Sequence, residues 1–327
     1  MDGPNAAPLR HFPVMAQEAL ELLALQPGQV CVDATCGLLG HSRLILEQLG
    51  DQGKLIGIER DPRIIQEARK LSSQNGLARR SLILVQGAYA ELGAILRKLG
   101  IERIDSILFD LGANSVHFDR PEFGFSFQSD GPLSMLFDPA GVRRRGERDA
   151  AEIVNRETEE ELARIIYTYS GERRSRRVAR AIVEARSKAP IQTTGELARL
   201  VRKVVKRSPR ERIDPCTRTF QALRMAANQE LEQLLTGLPQ ALLKLKPGGV
   251  AATISFHSGE DRICKMVFAQ AAGRLTEIHQ PLCPELEFKG SFKLLTKKPL
   301  RAGETEMRNN PRSRSAKLRA IKRVDDQ

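Results

Sequence analysis

The chain has 327 residues, with 52 Lys and Arg against 40 Asp and Glu, a formal net charge of +12. That length supports a sizeable core and about two domains, and 41% hydrophobic with 28% charged residues excludes a fibrous or low-complexity chain. No apolar run approaches the ~18 residues of a membrane span, and the start MDGPNAAPLRHFPVM lacks the basic-then-apolar order of a secretory signal.

In chain order, a helix is predicted near 16–25, ending before Pro27-Gly28. Strand VCVDA (30–34) leads through a turn holding Gly37 and Gly40 into a helix from His41 to Leu49. Strand KLIGIE (54–59) precedes Pro62 at a helix start, with Ile64, Ile65, Ala68 and Leu71 on one face. Strand SLILV (81–85), a helix over 90–99 and strand DSILFDLG (105–112) continue the alternation. Strands that are apolar throughout, separated by helices, imply a parallel sheet covered on both faces.

The rhythm then breaks. Between His117 and Pro215 no buried strand is predicted; helices begin at the capping boxes Thr158-x-x-Glu161 and Thr193-x-x-Glu196, and DGPLSMLFDPAGVRRRG (130–146) is an irregular connection. A helix over 219–235, with Leu223, Ala226, Ala227, Leu231 and Leu234 as its apolar stripe, precedes the turn KPGG (246–249). Strands VAATISF (250–256), FKLL (292–295) and AKLRAIKRV (316–324) complete the chain. The expected architecture is one α/β domain in two parts, 1–116 and 216–327, interrupted by a helical insert over 117–215 that carries much of the basic charge.

The positive charge is clustered. Arg199 to Arg212 contains seven basic residues and one acid, Arg312 to Arg323 six basics and no acid, and Arg173, Arg174, Arg176, Arg177 and Arg180 open a helix. Any one run reads as a solvated helix face, but three together point to a polyanion, because clustered cations neutralise phosphates and release counterions. The absence of Trp and only three Tyr argue against recognition dominated by base stacking. Five cysteines without paired spacing fit a reducing compartment, so the cytoplasm is the expected location, with no metal site.

Open parallel sheets bind ligands at the carboxyl ends of their strands. Here those ends carry Asp33 to His41, Glu59, Tyr89 and Asp110 to His117, and Glu59 lies 22 residues beyond Gly37, near the spacing at which an acid holds ribose hydroxyls. A dinucleotide needs close backbone approach to a pyrophosphate; the loop Gly37-Leu38-Leu39-Gly40 crowds it with two leucines. S-adenosylmethionine has a ribose but no phosphate, so it tolerates the fuller loop. No GxxxxGK[ST] supports triphosphate hydrolysis.

HFPVM, VDATCGLLGHS, IGIERDP, DLGANS followed by GFSFQSDGPL, TRTFQALRMAANQEL, PGGVAATISFHSGEDRICK and NPRSRSAKLR occur in the order of the RsmH (MraW) family, which the chain resembles over nearly its whole length. The resemblance implies a class I, Rossmann-like methyltransferase fold with a helical insert. It further implies transfer of a methyl group from S-adenosylmethionine to N4 of a cytosine in the decoding centre of 16S rRNA. It places the donor against Leu39, Gly40, His41, Glu59, Tyr89, Asp110 and His117. The family mostly has Arg-Gly-Gly where this chain has Leu38-Leu39-Gly40, Ser-Ser-Pro-Gln at Asn114 to His117, and Asp-Met-Arg-Met at Ser134 to Phe137. An RNA- or ribosome-binding homologue that has lost catalysis through those changes is the alternative. The partners implied are 16S rRNA and the small ribosomal subunit; no membrane is expected, and a homodimer is compatible with the sequence.

Methyl transfer is an in-line displacement governed by positioning, and the conjugated amine of cytosine needs a hydrogen-bond acceptor to rehybridise and lose its proton. Asp110 and Asn114, after the fourth strand, are the candidates. His257, in SFHSGED, is either a structural hydrogen-bonder at a strand end or a third catalytic and substrate-binding group. Asn228 either reads the base edge or caps a neighbouring loop. His41 is a cap or a ligand contact, and Tyr89 either stacks on adenine or is a half-buried sheet-edge aromatic. An unstacked nucleotide is required, which favours single-stranded or loop RNA.

Overall fold

The computed structural model describes residues 13–77, 81–138, 147–206, 213–274 and 291–324. They form two compact units, one made of 1–112 and 235–327, the other of 113–234.

The first unit begins with α1 (Ala16–Leu23), β1 (Val30–Asp33), α2 (Gly40–Leu49), β2 (Lys54–Glu59), α3 (Pro62–Gln74), β3 (Leu82–Gln86), α4 (Leu92–Lys98) and β4 (Ile104–Asp110). Pro62 sits at the first turn of α3, whose N-cap Asp61 accepts a hydrogen bond from the Arg63 amide at 2.8 Å. Fixed φ and a capped donor are what begin a helix there.

The second unit carries the short α5 (Ser115–Asp119), then α6 (Ala150–Arg156), α7 (Glu159–Ser170), α8 (Ser175–Arg186), α9 (Thr194–Val204) and α10 (Cys216–Asn228). Its core joins Leu133 and Met135 to Ile153, Ile166, Val178 and Val201, and also to Cys216, Phe220, Leu223 and Ala227 of α10. The insert boundary expected at 215 therefore falls short, because α10 buries its apolar stripe against α6, α7 and α9. The single helix expected over 219–235 is also two: Gln229 takes a left-handed φ of 50°, and a new helix, α11 (Glu230–Lys244), starts after it. Arg224 clasps Glu230 across that break with hydrogen bonds of 2.8 and 2.9 Å.

Back in the first unit come β5 (Leu245–Ser255), α12 (Ser258–Ala271), β6 (Phe292–Leu294), α13 (Glu304–Asn309) and β7 (Lys317–Arg323). The sheet order is β3-β2-β1-β4-β5-β7-β6. Strands β1 to β5 run parallel and β7 is antiparallel to both neighbours, as expected of a Rossmann-like α/β sheet. One face buries Leu55, Leu108, Ala252 and Leu318 under α1 and α2; the alternate residues Ile56, Ile58, Ile107, Phe109 and Ala251 are equally buried. The KPGG turn is a bulge within β5: Ile104 pairs with Leu245 but Ser106 with Val250. A Cβ on Gly249 would lie 2.8 Å from the Asp105 carbonyl oxygen, so the bulge needs glycine there. Among the described residues, no helix is long and apolar enough to cross a membrane.

The C-terminal strand uses part of its positive charge internally. Asp261 of α12 accepts from Arg319 Nε at 2.7 Å and from Lys317 Nζ at 2.9 Å, and Arg319 is buried. Burial works against ionising Asp261, but the hydrogen bonds from Arg319 and Lys317 prevail and hold its carboxyl below the ordinary value. A carboxyl with a depressed folded pKa stabilises above its unfolded pKa and loses that contribution as pH falls through the folded value. Asp261→Ala strands two cations in β7 and should lower the unfolding free energy by about 2–3 kcal/mol at pH 7 in urea denaturation. The gap between wild type and variant should shrink below roughly pH 4.

Candidate functional site

The crossover in strand order lies between β1 and β4, and the loop after β1 opens onto it. Asp33 ends β1 fully buried, accepting from Ser42 Oγ at 2.6 Å and from the Thr35 amide at 3.3 Å. The loop folds back through Cys36 N–H to the Ile58 carbonyl and Leu39 N–H to the Cys36 carbonyl. Leu39 then takes a φ of 67°, and its side chain is buried in the core. A non-glycine residue there costs about 1–2 kcal/mol, which the burial of a leucine, about 1.5–3 kcal/mol, offsets. Leu39 thus faces away from any ligand with its side chain and offers only backbone.

Beside this loop Glu59 ends β2. Its Oε1 accepts from the Asp61 amide at 2.9 Å, and the amides of Arg60 and Gly37 also act on it. Burial raises its carboxyl to about 7, against those amides. Next to β1, Asp110 ends β4 with its amide bonded to Thr35 Oγ1 at 2.8 Å. Asp110 Oδ1 is buried and has no partner among the described residues, although a quarter of the side chain reaches solvent. Burial raises this carboxyl to about 6; His41 opposes the rise, and the charges of Asp33 and Glu260 add to it.

His41 is the first buried residue of α2. Its Nε2 lies 3.0 Å from the Val14 carbonyl, which can only accept, so Nε2 carries a proton and Nδ1 faces Asp110 Oδ2 at 3.5 Å. The imidazole is neither a helix cap nor an outward ligand; it links the PVM end of the first motif to Asp110. His11 and Phe12 of that motif lie outside the described residues.

His257 caps α12. Its Nδ1 accepts from the Glu260 amide at 3.3 Å, and Nε2 lies 3.0 Å from Glu260 Oε1, off the line of a good hydrogen bond. Glu260, also buried, accepts from the Phe256 amide at 2.9 Å. The local geometry favours the structural reading of His257. Tyr89 follows β3, half-buried, edge-on to Phe109 at a centroid distance of 5.5 Å. A Cβ on Gly237 of α11 would lie 2.8 Å from it, so the ring is backed by a helix that must have glycine there.

The remaining candidates belong to the second unit. Asn114 is the N-cap of α5, its Oδ1 accepting from the Val116 amide at 3.1 Å. His117 is buried among Phe123, Phe125 and Phe137, with centroids 4.8–5.2 Å away. Asn228 is completely buried: Nδ2 donates to the Met135 carbonyl at 2.6 Å and the Arg224 carbonyl at 2.9 Å, and Oδ1 accepts from the Phe137 amide at 2.9 Å. Of the two roles expected of Asn228, reading a base edge or capping a neighbouring loop, these bonds are those of the second. They clamp a loop in which Met135 has a left-handed φ of 57°.

The first unit therefore gathers Asp33, Glu59, Asp110 and Glu260 around the β1/β4 crossover. Asp33 and Glu260 were missed as site residues, although both stand in the motifs VDATCG and SFHSGED. A cavity of about 540 Å³ lies at the opposite end of the strands, beside Gln29, Asp105 and Pro247. Several buried carboxyls at one end of a sheet repel a pyrophosphate and attract a cation. The unpartnered Asp110 oxygen and the Glu59 carboxyl suit a ligand carrying positive charge and hydroxyl groups, as a sulfonium nucleoside does.

The sequence model of the MraW methylase family matches residues 8–324. The chain is 46% identical over 318 residues to the ribosomal RNA small subunit methyltransferase H of Methylobacterium sp. (strain 4-46), covering 96% of this chain and 91% of that one. It is 45% identical over 322 residues to the protein of that name from Nitrobacter winogradskyi, covering 98% and 93%. The corresponding protein of Syntrophotalea carbinolica is 44% identical over 323 residues, covering 96% and 98%.

Two outcomes follow from this geometry. Asn228→Ala removes the acceptor held by the Phe137 amide and the donor held by the Met135 carbonyl, and should destabilise the fold by about 2–3 kcal/mol in chemical denaturation. Glu59 and Asp110 have folded pKa values raised above their unfolded ones. The ligand-free protein should accordingly lose stability as pH rises from about 5 to 8, and Glu59→Gln should flatten that slope.

Proposed function

The chain belongs to the MraW methylase family, and we propose that it transfers a methyl group from S-adenosylmethionine to N4 of a cytosine in 16S rRNA, in the decoding centre of the small ribosomal subunit. The observation that carries this reading is Asp110 at the sheet crossover of a methylase, its Oδ1 buried without a partner among the described residues and the charges of Asp33 and Glu260 acting on it. S-adenosylmethionine supplies an electrophilic methyl group on a positively charged sulfur.

In this reading Glu59 receives the ribose hydroxyls, the backbone of Leu39, Gly40 and His41 lines the donor, and Tyr89 stands beside the adenine. Asp110 accepts a hydrogen bond from the cytosine amine and takes the proton that leaves as the new bond forms. His41, held by the Val14 carbonyl, keeps Asp110 in place and sets how readily it gains a proton. Asn114 and His257 support the surrounding turns through their caps, which leaves Asp110 as the principal acceptor. A target amine must be unstacked, so loop RNA is the substrate class. The cytoplasm, where small subunits are assembled, is the proposed location.

The test is incubation with labelled S-adenosylmethionine and small subunits or naked 16S rRNA from cells lacking the modification, followed by digestion to nucleosides. Label in N4-methylcytidine is expected. Folded, RNA-binding protein that labels neither substrate would replace this reading with that of a non-catalytic RNA-binding homologue. Asp110→Ala should lower kcat by roughly 10²–10⁴-fold, the scale of a lost general base. Donor affinity should tighten as pH rises through about 6 to 7, as Asp110 and Glu59 ionise toward a cationic ligand; Glu59→Gln should weaken it and remove part of that dependence.

A further inference from the structure

Two basic runs that are distant in sequence meet in the second unit. Arg174 Nη1 donates to the Lys206 carbonyl at 2.9 Å, which brings the start of α8 against the end of α9. Arg173, Arg176 and Arg177 lie within a turn of that bond on one side, and Lys203 and Lys206 on the other; all five are exposed. None of the five makes an ion pair among the described residues.

Their neighbours differ. Arg180 faces Glu159 at 3.5 Å, Arg202 pairs with Asp214 at 3.1 Å, and Arg218 approaches Glu172 at 3.6 Å. Glu172, the acid nearest the start of α8, is buried and receives the Arg174 amide at 2.8 Å. The first turn of α8 holds no acid, whereas α6, α7 and α9 each begin with at least one. Cations at a helix start work against the helix dipole, so this surface concentrates positive potential at some cost to stability. The third basic run differs again, because Lys317 and Arg319 are already held by Asp261.

We propose that the α8/α9 corner, formed by Arg173, Arg176, Arg177, Lys203 and Lys206, is the principal phosphate-binding surface for ribosomal RNA, in preference to the C-terminal strand. This rests on the rRNA methyltransferase reading. Five exposed cations in one corner match a run of backbone phosphates; they set position and register without reading bases. Arginine forks suit phosphate oxygens bidentately, and little aromatic surface is needed for that contact.

The variant Arg173→Gln/Arg176→Gln/Arg177→Gln tests the corner, with Lys293→Gln/Lys297→Gln/Lys298→Gln as a control of equal charge on the first unit. Both proteins and the wild type would be titrated with undermethylated small subunits and with naked 16S rRNA over a range of salt, alongside donor binding by calorimetry. The corner variant should bind S-adenosylmethionine as the wild type does, while RNA affinity falls on the order of 10–100-fold near 0.15 M salt. Its log–log salt slope should shrink by roughly 2, because each lost phosphate contact removes nearly one unit. An unchanged slope in the corner variant, or an equal loss in the control, would overturn the proposal. Wild-type protein that binds RNA but never methylates it would instead remove the enzymatic reading and leave the corner standing.

Discussion

Acids that repel one another are held together at the crossover of the parallel sheet, and the rest of the first unit is organised around that constraint. The carboxyl ends of β1, β2 and β4 bring Asp33, Glu59 and Asp110 into one crevice because the strands run in the same direction, and the cap of α12 adds Glu260. Each acid is partly compensated by local donors: Ser42 for Asp33, the Asp61 amide for Glu59, the Phe256 amide for Glu260. Asp110 is the least compensated, with one oxygen unpartnered and the other facing an imidazole at 3.5 Å. Burial raises the carboxyls of Asp33, Glu59 and Asp110, and at Asp110 the charges of Asp33 and Glu260 add to it; acids held in this way favour a cationic ligand, which is the requirement of a methylase using S-adenosylmethionine.

The two units carry opposite electrostatic characters. The carboxyl end of the first unit's sheet is acidic within a chain of net charge +12, while the second exposes Arg173, Arg176, Arg177, Lys203 and Lys206, which make no ion pair among the described residues. A donor that is a small cation and a substrate that is a large polyanion call for these two environments, and a uniformly basic surface would serve only the second. The same division explains why charge counted along the sequence overstates the phosphate contacts: Lys317 and Arg319 in β7 face Asp261.

Several motif residues hold the chain in shape and leave the chemistry to others. The Val14 carbonyl fixes the proton on His41, Asn228 ties down the loop from Met135 to Phe137, and His257 closes a capping box with Glu260. Leu39, which stands where the family mostly has glycine, turns its side chain into the core and leaves its backbone in the loop. A motif therefore marks positions under physical constraint, and contact with a ligand is only one such constraint.

The sequence by itself determined the parallel sheet, because its apolar strands alternate with amphipathic helices, and the acid ending β2, because its spacing from the first glycine is a property of chain length. It also determined where α7 and α9 begin, since Thr158 and Thr193 act within a single turn. Local chemistry suffices for such features. Tertiary structure alone decided that Gln229 breaks the helix expected over 219–235, that α10 packs with the second unit's core, and that Asn228 is buried. It alone brought Asp33, Asp110 and Glu260 within electrostatic reach and joined Arg174 to Lys206. Those outcomes depend on neighbours far apart in the chain, and periodicity, capping and spacing carry no information about partners beyond a few turns.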